Sequence, residues 1–107
     1  MLMSSELEAV RAKVDVRLSS PEERQERQEQ LAAFVRYCIF RIERELGAAD
    51  HWIVTILASP VGYEVTVAVR SSDRELERTE SATDAPLATW SAMCRVEEAL
   101  RACAERK

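Results

Sequence analysis

The residues with the widest chemical range in this chain are one histidine, three cysteines and a scatter of carboxylates. His51 directly follows Asp50, and a carboxylate can orient an imidazole as a general base. Adjacent side chains diverge in an extended segment, however, and no nucleophile stands at a spacing that brings it to His51, so the pair reads as a strand start. Cys38, Cys94 and Cys103 form no CxxC, and no HxxxH or HExxH run accompanies them, so the convergence needed for a tetrahedral metal site is missing. All three fall in helical patterns, which suits reduced, small apolar side chains better than a disulfide framework. Glu43/Glu45 and Glu97/Glu98 lie on solvated helix faces and do not read as the facing acids of a glycoside hydrolase. With only two glycines, the chain has no loop of free backbone amides to surround a phosphate. No catalytic residue, metal or cofactor is expected.

Arginine offers the other candidate chemistry. The chain carries 15 Lys and Arg against 19 Asp and Glu, a net charge of −4, so its bulk field attracts neither nucleic acid nor an anionic membrane. Thirteen of the 15 basic residues are nevertheless Arg, whose planar fork suits phosphate and carboxylate partners. Arg11, Lys13 and Arg17 share one face of an alternating segment, and Arg70 joins them if the first and third strands are neighbours. Arg36, Arg41 and Arg44 dot a first helix among Glu29, Glu43 and Glu45, where the four-residue spacing of Arg41 and Glu45 suits surface pairing. Arg95, Arg101, Arg106 and Lys107 make the last helix basic toward its end.

These side chains must be positioned by a single domain, because 107 residues at 47% hydrophobic and 32% charged build one core and no more. That domain is expected over residues 8–105, with 1–7 as a flexible tail. No apolar run approaches the roughly eighteen residues of a membrane span, and no basic-then-apolar leader opens the chain. A cytoplasmic protein with no membrane or DNA partner is therefore expected.

Val10, Ala12, Val14, Val16 and Leu18 alternate with polar residues, the period of a half-buried strand. Ser20, Pro21 and Glu23 carry a helix-start signature, followed by Leu31, Phe34, Val35, Cys38, Ile39, Ile42 and Leu46 at helical spacing, with Gly47 as terminator. Residues 52–58 are apolar on both parities, as in a strand covered on both sides or lying at a dimer face. Ser59-Pro60-Val61-Gly62 then turns the chain into the alternating strand Tyr63–Arg70, a hairpin. Residues 75–81 read as a polar edge strand. Thr83 or Asp84 caps a final helix whose expected buried stripe is Leu87, Trp90, Met93, Val96, Leu100 and Cys103. The order is β-α-β-β-β-α, an α+β domain with two helices packed on one face of a four-stranded sheet.

The alternating first strand and its Pro/Glu-rich helix start carry a resemblance. So does the run from Tyr63 to Arg78, with Ser81-Ala82-Thr83-Asp84-Ala85-Pro86-Leu87-Ala88-Thr89-Trp90 leading into Val96-Glu97-Glu98-Ala99-Leu100-Arg101. Together they resemble the ribosome hibernation-promoting and ribosome-associated inhibitor family. That resemblance implies a non-enzymatic, stress-responsive factor that occupies the decoding region of the small ribosomal subunit and silences translation. Its RNA-facing positions would be Arg36, Arg41, Arg44, Arg95, Arg101, Arg106 and Lys107. The chain departs from the family in being acidic, Lys-poor and rich in Glu around those arginines. The alternative on the same scaffold is a dimeric protein-interaction or regulatory module without RNA binding, with Tyr37, Phe40, Trp52, Ile53 and Leu57 at its interface. RNA docking requires arginines converging on a patch free of carboxylates; a protein interface requires a contiguous apolar patch; an enzyme requires a cleft holding a perturbed titrating group.

Overall fold

A computed structural model describes residues 14–18, 25–72 and 74–105. The expected tail, the first strand before Val14, the Ser20-Pro21-Glu23 helix start, and Arg106 and Lys107 lie outside the described residues. The elements run β1 (Val14–Leu18), α1 (Gln25–Leu46), β2 (His51–Ser59), β3 (Gly62–Ser71), β4 (Arg74–Ala82) and α2 (Ala85–Glu105). This is the expected β-α-β-β-β-α order and α+β class.

The four strands form one sheet in the order β1-β2-β3-β4. β1 runs parallel to β2 with Val14 opposite Trp52, as the α1 crossover between them allows. β2 and β3 form the expected hairpin, His51 opposite Arg70 and Ser59 opposite Gly62, and β4 pairs antiparallel with β3. β4 is thus the polar edge strand. β1 and β3 are separated by β2, so Arg17 and Arg70 are not neighbours. Arg17 instead pairs with Asp15 at 3.0 Å, and Arg70 with Glu75 at 2.7 Å.

Strand alternation sends Trp52, Val54 and Ile56 of β2 and Val65, Val67 and Val69 of β3 to one face, where all are buried. Leu31, Val35, Cys38, Ile39 and Ile42 of α1 and Ala88, Ala92, Met93 and Val96 of α2 cover them in one continuous core. Each fully buried Val or Ile contributes about 1.5–3 kcal/mol of transfer free energy. The apolar parity of residues 52–58 is therefore covered by helices on one side, while Ile53 is half-buried and Leu57 exposed on the other.

α2 sits rotated from its expected stripe. Met93 and Val96 are buried as expected, but Leu87 and Trp90 are exposed, and Ala85, Ala88, Thr89 and Ala92 take the sheet side. Small side chains let the helix backbone approach the sheet closely, and that close approach outweighs burial of the larger ones. Thr89 is the one buried polar side chain among the described residues, and its hydroxyl donates to the Ala85 carbonyl at 2.8 Å. Asp84 caps the helix, its Oδ1 accepting the Leu87 N–H at 2.7 Å. Among the described residues, no helix is long and apolar enough to cross a membrane.

Candidate functional site

α1 and α2 lie side by side, and their contacts share one register. Phe34 stacks tilted against Trp90 with ring centroids 6.2 Å apart. Arg41 Nη2 donates to Glu97 Oε1 at 3.3 Å, and Arg101 Nη2 donates to Glu45 Oε2. In each pair the α2 residue stands 56 positions after its α1 partner, so the helices run parallel and in step. The contacting positions, 34, 41 and 45 on one helix and 90, 97 and 101 on the other, recur at the spacing that keeps a stripe facing a neighbouring helix.

Aromatic groups hold one end of this seam and ion pairs the other. At the aromatic end Tyr37 is 61% exposed, Leu87 53% and Trp90 43%. Phe34, half-buried and packed against the core, meets Trp90, with Tyr37 one turn further along α1 and Leu87 one turn earlier on α2. The Arg41 guanidinium lies 5.7 Å from the centre of the Trp90 ring, a cation–π contact that leaves the arginine between an aromatic face and a carboxylate. At the other end Arg101 bridges Glu45 and Glu97, and nearby Arg95 reaches Glu80 at 2.7 Å and Glu98 at 3.6 Å. Those carboxylates raise the pKa of Arg95 and Arg101, chiefly by accepting side-chain hydrogen bonds at Glu80 and Glu97.

The arginines with an RNA role in the family resemblance are thus dispersed among carboxylates. Arg41, Arg95 and Arg101 are ion-paired, Arg36 is half-buried, and exposed Arg44 lies over the Phe40 ring at 5.7 Å. The expected interface residues divide differently. Trp52 and Phe40 are core residues, which removes them from any surface. Tyr37 is exposed on the helices, whereas Ile53 and Leu57 lie on the sheet face turned away from them.

His51 is exposed at the rim of a depression of about 230 Å³ shared with Ile53, Ala68, Arg70 and Glu75. Arg70 and Glu75 beside it are engaged with each other at 2.7 Å. Burial pushes the Cys38 and Cys94 thiols up, the opposite of an activated nucleophile. No group of three or more potential metal ligands occurs among the described residues.

Two features escape a residue-type reading. Glu43 is not on the solvated face: its Oε2 accepts the Ala49 N–H at 2.7 Å and the Trp52 indole N–H at 3.0 Å. The shared register of the helices was present as matching spacings in two distant segments, but nothing in either segment alone says that they meet. The sequence matches no family model and no curated protein.

Proposed function

We propose that this chain is a non-enzymatic, cytoplasmic protein-interaction module that docks its partner on the outer face of the α1–α2 pair. The observation that carries the reading is the set Tyr37, Leu87 and Trp90, large apolar side chains exposed within a helical turn of the Phe34–Trp90 contact on two adjacent helices. Folding normally hides such residues, and Trp and Tyr dominate the energetics of protein interfaces. The arginine at this group is already neutralised by Glu97, so the surface asks for apolar side chains from its partner rather than phosphates. The test is a photo-crosslinking amino acid placed at Leu87 or, as the contrasting site, at Thr79 on the uncovered sheet face. A discrete protein adduct from Leu87 alone is expected. Trp90→Ala should then weaken binding of that purified protein by about thirtyfold or more, the scale of an interface hot spot. Adducts from Thr79 alone, or to RNA alone, would overturn the reading.

The ribosome-associated reading has a specific observation in its favour: the element order and one-sided helix packing agree with the fold the resemblance implies. Fold alone carries no function. On this reading Arg36 and Arg44 would meet RNA first, and Arg41, Arg95 and Arg101 would have to release their carboxylates, which subtracts from the gain of each phosphate contact. Co-sedimentation with ribosomal subunits at about 50 and 200 mM salt distinguishes the two. Saturable, salt-sensitive binding lost in Arg44→Glu/Arg101→Glu supports the ribosome; no binding at the lower salt removes it.

A further inference from the structure

Cys38 and Cys94 occupy the same 56-residue register as the other contacts of the helix pair. Phe34 and Trp90 meet one turn before them, and Arg41 and Glu97 meet one turn after. Two parallel helices pinned on both sides within a turn have little freedom to carry the intervening residues apart, so the two cysteines stand at the same level of the seam, Cys38 on its core side and Cys94 on its outer side. We infer that Cys38 and Cys94 are a dithiol pair that a small disulfide, such as oxidised glutathione, converts to an intramolecular disulfide linking α1 to α2.

Both thiols are free, Cys38 buried and Cys94 half-buried. Burial raises the Cys38 pKa, nearby Arg41 lowers it, and Cys94 raises it further. Access decides the order of events. Cys94 gives its proton to solvent, and its thiolate attacks one sulfur of the small disulfide, forming a mixed disulfide and releasing one small thiolate, which takes up a proton. Cys38 then loses its proton and attacks the Cys94 sulfur, closing the protein disulfide and releasing the second small thiol. Two protein thiols are oxidised to one disulfide, and one small disulfide is reduced to two thiols. Because burial holds both thiols protonated, the reaction should quicken as pH rises. Cys103, beyond the last rung of the seam, has no cysteine at the matching position, which is Gly47. This pairing is independent of whether a partner docks on the helices.

The sequence makes the test unambiguous, since trypsin places the three cysteines on separate peptides: residues 37–41, 79–95 and 102–106. The folded 107-residue chain is treated with oxidised glutathione at mildly alkaline pH and mapped without reduction. Expected is a monomer lighter by two hydrogen atoms, with peptide 37–41 joined to 79–95 and separated by dithiothreitol. Cys103→Ser should form the same link, and Cys38→Ser should stop at glutathione on Cys94. A link involving 102–106 as the main product, an intermolecular link, or glutathione retained on Cys94 of the unsubstituted chain would overturn the pairing. The mapping on that chain does not depend on any variant folding.

Discussion

Glu43 carries the most consequential single-residue role outside the core. A carboxylate in the last turn of a helix lies at the negative end of the helix dipole, an unfavourable place for it. It is held there by the backbone N–H of Ala49 and the indole N–H of Trp52, which tie the end of α1 to the connection that follows it and to the start of β2. Trp52 is 1% exposed, so removing the acceptor strands its indole N–H away from water. Glu43→Ala should therefore lower unfolding free energy by about 1–3 kcal/mol, whereas Glu43→Gln, which keeps an acceptor oxygen, should lose less. Urea unfolding followed by tryptophan fluorescence measures both, and a larger loss in the glutamine variant would refute the assignment. This role was not legible in sequence, where Glu43 looks like any acid of a charged helix and Trp52 belongs to a strand covered on both sides or lying at an interface. Both readings change only when the turn at Gly47 brings β2 back beneath α1.

At the scale of elements, period and punctuation were legible and rotation was not. Gly47 ends α1 and Gly62 opens β3 as the spacing requires, with φ of 103° and 149°, values that favour glycine. Their surroundings differ. A Cβ on Gly47 would meet nothing nearby, while one on Gly62 would overlap the Ala82 carbonyl and stand 3.2 Å from Thr83 Cα, both backbone atoms that cannot swing away. Gly47→Ala should thus cost about 1–2 kcal/mol of backbone strain alone. Gly62→Ala adds the overlap and should exceed it by about 2 kcal/mol, as seen in denaturant midpoints; equal losses would show that the β3–β4 ladder yields at that end. The rotation of α2 illustrates the opposite case. Leu87, Trp90, Met93 and Val96 and the small residues Ala85, Ala88 and Ala92 each make an acceptable helical stripe. The choice between them is made by how near the sheet allows the helix to come, which no local pattern encodes.

At the scale of the whole molecule, the described residues form two layers and leave one sheet face uncovered, and the doubled apolar parity of residues 52–58 invites a second copy there. The face itself argues against it. Its rows read Asp15, Ile53, Ala68, Glu77 and Arg17, Thr55, Thr66, Thr79 from β1 to β4. Asp15 is joined to Arg17, Arg70 to Glu75, and the Thr66 and Thr79 hydroxyls to each other at 2.9 Å. Among the described residues, Ile53 and Leu57 are the large apolar side chains left, and an interface needs about 800 Å² from each partner with an apolar centre. Burying this face would set charged rims against their own copies while gaining little apolar contact. The chain should accordingly sediment as a 12.1 kDa monomer at micromolar concentration, with Leu57→Glu making no difference. A concentration-dependent dimer dissolved by Leu57→Glu would place the interface on the sheet after all, and would leave the exposed aromatics of the helix pair for a second partner.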